Sequence, residues 1–223
     1  MIFFHIFVPT TSHNAMKYMS FFILLFIGEL SVSAQHMFSR QFPFFNQLSS
    51  NEIFSIHQDR EGYFWIGTTN GLARYDGYQL NTFRTDYKNQ NLLTDNGITA
   101  INDNDLYVWI GTWKGLNLYN KQTCRITPFS DARLLDKVVD AITVDKDGNV
   151  WVSAGGMIYR CDSTAHIIKE YEVGNIQEGY AISNIYADQQ KQLWAVGSRG
   201  IFRYEPETDS FFRYPPLGNG HTA

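Results

Sequence analysis

The chain has 223 residues, of which 44% are hydrophobic and 16% aromatic, so it can bury a sizeable core and is not expected to be disordered. Its formal net charge of −4 and isoelectric point near 5.8 leave no excess of Lys and Arg for a phosphate backbone, which argues against nucleic-acid binding. Its two cysteines, Cys124 and Cys161, lie at unrelated places in the pattern, so two free thiols are favoured over a disulfide.

Residues 1–34 have the features of a secretory signal peptide. Lys17 supplies the positive charge, residues 21–27 are an apolar segment too short to cross a bilayer, and residues 32–34 are small enough for cleavage after Ala34. Met16 would begin a signal peptide of ordinary length, which suggests an over-long start. An uncleaved anchor is the alternative, because residues 2–8 extend the apolar content upstream. Secretion predicts a periplasmic location.

A segment that begins with tryptophan recurs four times after residue 41. The copies read W-I-G-T-T-N-G-L-A-R-Y-D at Trp65, W-I-G-T-W-K-G-L-N-L-Y-N at Trp109, W-V-S-A-G-G-M-I-Y-R-C-D at Trp151 and W-A-V-G-S-R-G-I-F-R-Y-E at Trp194. The tryptophans are 44, 42 and 43 residues apart, and a period in this range is typical of repeat architectures.

Each repeat is predicted to form four short antiparallel strands. An apolar pair marks the first strand, and an aspartate six residues before the tryptophan ends it in a turn, where the carboxylate accepts backbone hydrogen bonds. The tryptophan lies in the second strand, a glycine turn leads into the third, and a fourth follows. The apolar pairs are Ile53 and Ile56, Ile98 and Ile101, Val139 and Ile142, and Ile182 and Ile185; the aspartates are Asp59, Asp103, Asp145 and Asp188.

Four strands in about 43 residues with one large aromatic per unit predict an all-β fold, a β-propeller. The four blades cover about residues 47–86, 93–130, 135–173 and 178–214, and residues 217–223 form a tail. We expect each repeat tryptophan to be structural, wedged between successive sheets.

The repeat core D-x-x-G-x-x-W-I-G-T-x-x-G-L-x-R-Y-D, found at residues 59–76 and with a few departures at residues 103–120, resembles the two-component regulator propeller repeat. The resemblance covers about residues 41–216. It implies the extracytoplasmic sensor of a Bacteroidetes-type hybrid two-component regulator, with two seven-bladed propellers, a β-sandwich, a membrane helix and a histidine kinase. None of the later parts occurs in these 223 residues. The remaining blades and the kinase of the parent sensor are the implied partners, in a full-length homodimer.

Propellers usually close with about four to eight blades. Residues 42–46, F-P-F-F-N, resemble one orphan strand ahead of the first blade, which in a closed ring completes the last blade. We therefore expect a partial propeller from a truncated gene product or the opening fragment of a longer sensor. A closed four-bladed ring is the alternative.

The sequence contains no recognisable catalytic motif, because G-x-S-x-G, H-E-x-x-H, phosphate-binding glycine loops and kinase signatures are all missing. His57 and His166 occupy different places in the repeat and are expected to be structural or exposed. Asp145, Asp147 and Asn149 offer oxygen donors at alternate positions, but a plain turn is favoured over a calcium site. We therefore expect no enzymatic activity, no cofactor and no metal in this chain.

A ligand site is predicted at one face of the propeller. There the loops that enter the first strands and the turns that join second to third strands converge around the channel. Trp113 is the one tryptophan off the repeat position, in a turn where the other blades carry small residues, so it suits stacking on a sugar ring. Lys114, Asn70 and Arg199 would supply hydrogen bonds. The alternative is that Trp113 packs against a neighbouring loop or a partner domain.

Three functions remain open from the sequence. The favoured one is a periplasmic sensor segment that binds a small molecule, in particular an oligosaccharide; its sugar specificity is implied only by the family resemblance. The second is an extracytoplasmic lyase or hydrolase, which would need a catalytic cluster at the channel. The third is a scaffold that binds proteins through its faces or open edges.

Overall fold

The structure is a computed structural model, and it describes residues 44–85, 92–173, 182–198 and 200–214. These residues belong to one compact unit, Pro43–Ala223, whereas the predicted signal peptide and residues 217–223 lie outside the described residues. The described chain forms sixteen strands: β1 (Ile53–Gln58), β2 (Phe64–Thr68), β3 (Gly71–Tyr75), β4 (Leu80–Phe83), β5 (Ile98–Asp103), β6 (Tyr107–Thr112), β7 (Gly115–Asn120), β8 (Arg125–Pro128), β9 (Val139–Val144), β10 (Val150–Ala154), β11 (Met157–Cys161), β12 (Ile167–Glu172), β13 (Ile182–Ala187), β14 (Leu193–Gly197), β15 (Gly200–Glu205) and β16 (Ser210–Arg213).

The strands form four antiparallel sheets, each made of four strands that are consecutive in sequence. The first strands of successive sheets lie side by side, β1 with β5, β5 with β9 and β9 with β13, so they form the inner edge of an arc of four blades. This is the propeller architecture predicted from the repeat. Blades 1 to 4 are β1–β4, β5–β8, β9–β12 and β13–β16.

The turn between the first two strands is fixed by the predicted aspartate. Asp59 Oδ1 accepts hydrogen bonds from the backbone N–H groups of Glu61 and Tyr63, at 3.0 and 2.9 Å. Asp145 repeats this arrangement with Asp147 and Asn149 in blade 3. A carboxylate bonded to the backbone in this way closes the hairpin turn.

Each interface between blades is built from one repeated set of contacts. The repeat tryptophan of one blade packs against the apolar residues of the next, and Trp65, Trp109 and Trp151 are almost completely buried. Space for the next blade comes from a small residue two positions later. A Cβ added at Gly67 would lie 2.7 Å from Ile98 Cγ2, and one at Gly111 would lie 2.6 Å from Val139 Cγ1. These glycines therefore allow neighbouring sheets to approach closely.

Every first strand contains a β-bulge at the same place. The pairing with the second strand skips one residue in each blade: Phe54, Thr99, Asp140 and Ser183. The bulge explains the spacing of the apolar pairs. In an unbroken strand, residues three apart point to opposite faces, yet Ile98 and Ile101 are both buried. The extra residue restores both side chains to the interface.

Two details differ from the sequence prediction. Residues 45–47 form a 3-10 helix where the orphan strand was predicted, while Phe42 and Pro43 lie outside the described residues. A strand there would need a sheet edge, and each described sheet is completed by four strands of its own repeat. The sequence pattern also predicts the fourth strand of blade 2 over residues 124–130, whereas it begins at Arg125, because Cys124 has a positive φ of 54° and belongs to the turn.

Candidate functional site

The blades present two ends that differ in chemistry. We call the end that carries residues 69–70, 113–114, 155–156 and 198 the turn face, and the opposite end, where Asp59, Asp103, Asp145 and Asp188 lie, the hairpin face. The sequence predicted a ligand site on the turn face. Polar clusters are found at both ends.

Trp113 lies on the backbone of Gly97, the residue that immediately precedes β5. A Cβ at Gly97 would be 2.3 Å from Trp113 Cε3, so only glycine leaves room for the ring in this position. The backbone N–H of Trp113 donates to the Gly97 carbonyl at 3.1 Å. Phe54 of blade 1 meets the ring edge-on, with centroids 6.2 Å apart. Trp113 remains 44% exposed and Phe54 55% exposed, so together they form an open aromatic corner across blades 1 and 2.

The other predicted site residues lie in or beside equivalent turns. Lys114 adjoins Trp113, and its ammonium lies 3.7 Å from the Asp95 carboxylate, with most of the lysine exposed. Asn70 occupies the corresponding turn of blade 1, where its side chain donates to the Ser49 carbonyl at 3.3 Å. Arg199 lies outside the described residues. The structure thus places Trp113 and Lys114 in one turn and Asn70 in the adjacent blade.

A buried charged cluster on the hairpin face was not predicted. Asp103 accepts hydrogen bonds from His57 Nε2 at 2.7 Å and from Lys121 Nζ at 2.6 Å. The side chains of Asp103 and Lys121 are only 5% and 6% exposed. Burial alone would raise the pKa of Asp103, but the hydrogen bonds from His57 and Lys121 outweigh it and lower the pKa to about 2. Asp103 is therefore an ionised link between blades 1 and 2.

This cluster exists because the hairpin of blade 2 is built differently. In blades 1, 3 and 4 the aspartate accepts a hydrogen bond from the tryptophan indole, at 2.6, 2.8 and 2.9 Å. In blade 2 the following residue, Asn104, accepts the backbone bonds of the turn, and Asp103 is released toward His57. Within the described residues the buried Trp109 Nε1–H has no acceptor. In the sequence, the feature that marks this different hairpin is Asn104, a second turn-forming residue directly after the aspartate that lies six residues before the tryptophan.

A polar cavity of about 480 Å³ adjoins this cluster along the inner strands. Its lining includes Arg60 of blade 1, Asp103 of blade 2 and Thr143 of blade 3. Blade 4 contributes Asn184, Tyr186 and Lys191. Arg60 is ion-paired with Asp105, and Asp103 is occupied as described. Among the described residues no group of three or more His, Cys, Asp or Glu side chains is arranged to hold a metal ion.

These features define a β-propeller protein whose blade is a four-stranded sheet anchored by one tryptophan. Residues 47–70 match the family model described as Two component regulator propeller, which confirms the resemblance predicted from the repeat. A comparison with curated protein sequences gave no significant match.

Several solved structures share this architecture. The extracellular domain of a putative one-component system from B. thetaiotaomicron has a TM-score of 0.56 and 23% identity, over 77% of this chain and 22% of that chain. The extracellular domain of a putative hybrid two-component system from the same organism has a TM-score of 0.54 and 21% identity, over 78% and 31%. Virginiamycin B lyase from Staphylococcus aureus has a TM-score of 0.60 and 18% identity, over 75% and 57%. The chain thus spans 22 to 57% of the length of these proteins, and at such identities the likeness establishes the fold.

The prediction that this chain is not an enzyme is corrected by these neighbours. Besides the lyase, a dihydro-heme d1 dehydrogenase aligns with a TM-score of 0.53 and 16% identity, over 75% of this chain and 37% of that chain. Propellers of this kind therefore accommodate catalysis, and the missing sequence motifs do not exclude it. Within the described residues, no helix has the length and apolar character needed to cross a bilayer.

Proposed function

We propose that this chain is a periplasmic ligand-binding segment of a hybrid two-component sensor and that it binds a nutrient-derived oligosaccharide. The match at residues 47–70 and the two extracellular sensor domains of the same fold support the sensor assignment. The segment would be exported by residues 1–34. It would act together with further propeller blades and a histidine kinase, in a full-length homodimer.

The observation that carries the ligand proposal is the aromatic corner of Trp113 and Phe54. Two large rings, each about half exposed, are held in a fixed relation by Gly97 and by their edge-on contact. Aromatic rings that keep an open face suit the apolar face of a sugar ring, and their rigidity lowers the entropy cost of binding. Lys114 and Asn70 lie in adjacent turns and offer donors for sugar hydroxyls.

In this proposal the signal is a shift in populations rather than a chemical step of the segment. A ligand that contacts the turns of two blades binds more tightly to one arrangement of blades or partners than to another, and so favours that arrangement. The turn face is suited to this because its residues come from different blades joined through side-chain contacts.

The proposal is tested by binding of the protein to an immobilised array of neutral, amino and uronic oligosaccharides, followed by calorimetry with each sugar that binds. We expect Trp113→Ala to weaken binding at least tenfold, and Trp113→Phe to retain most of it. Gly97→Ala keeps the tryptophan but displaces its ring, so it should also weaken binding. Wild-type affinity in Trp113→Ala would refute the stacking role. The same samples are analysed for cleaved sugar, which would reveal a catalytic activity.

A further inference from the structure

The four bulge residues occupy the same position in the inner strand of each blade. Phe54, Asp140 and Ser183 are exposed and Thr99 is partly buried. In blades 2 and 3 the residues on both sides of this position are apolar and buried, namely Ile98, Ala100, Val139 and Ala141. Bulges redirect a side chain out of the regular pleat and occur often beside functional sites. The residue type varies at this position, with an aromatic ring in blade 1, hydroxyls in blades 2 and 4 and a carboxylate in blade 3. The position is therefore free to carry specificity.

Phe54 and Thr99 each contact a residue of the next blade. Phe54 of blade 1 meets Trp113 of blade 2 with ring centroids 6.2 Å apart. Thr99 of blade 2 donates from its hydroxyl to the Val139 carbonyl of blade 3 at 2.5 Å. Val139 immediately precedes Asp140. Phe54, Thr99 and Asp140 thus occupy equivalent positions on three successive inner strands, and the Thr99 hydrogen bond joins blade 2 to the residue beside Asp140.

Asp140 is the chemically unusual member of this set. The described part of the chain provides its carboxylate with no hydrogen bond and no ion pair. Burial raises the pKa of Asp140 to about 6. Its carboxylate is accessible to solvent but surrounded by enough protein to lose part of its hydration. A carboxylate in this condition favours any ligand that supplies hydrogen-bond donors.

We propose that Phe54, Thr99 and Asp140, with Trp113, form a binding rim for a polyhydroxylated ring, in which the Asp140 carboxylate accepts hydrogen bonds from two neighbouring hydroxyls. This inference rests on the proposed function and names residues that add to the predicted site. The aromatic corner would hold one sugar unit, and Asp140 would orient a unit further along the oligosaccharide. Charged carboxylates accept stronger hydrogen bonds than neutral groups do.

The surroundings of Asp140 predict a simple pH dependence. The strands packed against β9 are β5, β6, β10 and β13, and at this level they carry Thr99, Gly111, Ser153 and Ser183, none of which titrates near neutral pH. Lys137, on the approach to β9, donates to the Tyr159 hydroxyl at 2.7 Å. Binding that needs the Asp140 carboxylate should therefore be strong above pH 6 and should weaken as the pH falls through 6.

The test compares Asp140→Asn with the wild-type protein on the same oligosaccharide array and by calorimetry at several pH values. Asparagine has the same shape, and thermal unfolding checks that the fold is kept. We expect at least a tenfold loss of affinity at pH 7.5 and a flat pH profile between 5 and 7.5. Glu172→Gln serves as the matched control, because Glu172 is an exposed carboxylate on the outermost strand of the same blade.

The outcomes separate this inference from the proposed function. If Trp113→Ala loses binding while Asp140→Asn keeps the affinity and pH profile of the wild type, the rim is wrong and the sugar-binding function stands. If no oligosaccharide binds to the wild-type protein, both are wrong. Binding of amino sugars that neutral sugars cannot displace would also overturn the inference. In that case Asp140 would pair with the ammonium group of the ligand and not with hydroxyls.

Discussion

At the scale of single residues, the tryptophan and aspartate of each repeat act as one unit. In blade 1 the Trp65 indole donates to Asp59 at 2.6 Å, and the same carboxylate closes the hairpin turn. One aspartate therefore connects the turn at the blade edge to the aromatic wedge between blades. Trp113 has no such role, because it lies off the repeat position and is half exposed.

This difference predicts that two Trp→Ala substitutions lower the free energy of unfolding by very different amounts. Trp65→Ala should lower the free energy of unfolding by about 3–5 kcal/mol, since it empties a buried site and leaves the Asp59 carboxylate without its indole donor. Trp113→Ala should cost at most about 1 kcal/mol, in the range of substitutions outside the core. Urea unfolding followed by circular dichroism measures both values. Equal losses would show that Trp113 is a core residue and would weaken its assignment to a ligand site.

Asp103 predicts an acid-dependent loss of stability specific to blades 1 and 2. Burial raises the pKa of Asp103, but the hydrogen bonds from His57 and Lys121 outweigh this effect and lower the pKa from 3.8 to about 2 in the folded protein. This shift corresponds to roughly 2 kcal/mol of stabilisation. Because the folded pKa is the lower one, this stabilisation is present above about pH 4 and is lost as the pH falls toward 2. Asp103→Asn should therefore be less stable than wild type at pH 6, and the difference should narrow toward pH 2.5.

The matched control for this measurement is Asp105→Asn. Asp105 is 83% exposed and pairs with Arg60 at the surface, so its loss should change stability by less than about 1 kcal/mol at either pH. A wild-type stability for Asp103→Asn at pH 6 would contradict the description of Asp103 as a link between blades.

At the scale of strands and sheets, the spacing between blades depends on a small residue opposite a branched one. Gly111→Ala should lower the free energy of unfolding by about 1–3 kcal/mol, because the added Cβ would lie 2.6 Å from Val139 Cγ1. Gly111 does not have a positive φ, so the loss would arise from packing and not from backbone strain. In a double-mutant cycle, Val139→Ala should recover part of the loss. Additive effects would show that these two residues do not meet.

Much of this level of structure could be predicted from sequence, and the reasons are local. Tryptophan spacing, alternating apolar residues and aspartate turns gave the number and order of strands, because each depends on a few neighbouring residues. The bulges were encoded in the spacing of three between Ile98 and Ile101, a distance that an unbroken strand cannot bury on one face. The same spacing of three between apolar residues occurs in all four repeats.

The candidate site was less accessible to sequence reasoning, because its contacts join different blades. Trp113 was recognised as an aromatic residue out of phase, but its support from Gly97 and Phe54 depends on how blades 1 and 2 pack. The pairing of His57 with Asp103 joins residues 46 positions apart. Residue spacing within one repeat does not show that Asp103 accepts its hydrogen bond from His57 of the preceding blade and not from Trp109 of its own blade.

At the scale of the whole described unit, the first and last blades each have one apolar face that the described residues leave uncovered. On blade 1 this face contains Ile56, which is 63% exposed, whereas its equivalent Ile101 in blade 2 is 6% exposed. On blade 4 it contains Ile201 and Tyr214, which are 47% and 41% exposed. Contiguous apolar surface of this kind usually marks an interaction site.

The uncovered face of blade 4 also differs from the inner interfaces in shape. Val196 lies where Gly67 and Gly111 lie in blades 1 and 2, so the branched residue that fills this position in the inner interfaces would collide with it. A sheet that covers blade 4 must therefore have a smaller residue opposite Val196, or pack at a greater distance from blade 4 than blades 2 and 3 do from their neighbours. A sheet of the same kind as blade 2 or blade 3 would therefore not fit this face in the same position.

The uncovered face of blade 1 yields a prediction that reports directly on what surrounds it. If the face is open, Ile56→Ala should change the free energy of unfolding by no more than about 0.5 kcal/mol, while Ile101→Ala, at the equivalent buried position, should cost about 2–5 kcal/mol. Both substitutions remove the same atoms from the same place in the blade, so the difference measures only the covering sheet. Ile56→Ala should also reduce self-association at high protein concentration, measured by sedimentation. A loss at Ile56 as large as that at Ile101 would mean that another sheet packs on blade 1, because only a covered isoleucine can leave a cavity when it is truncated.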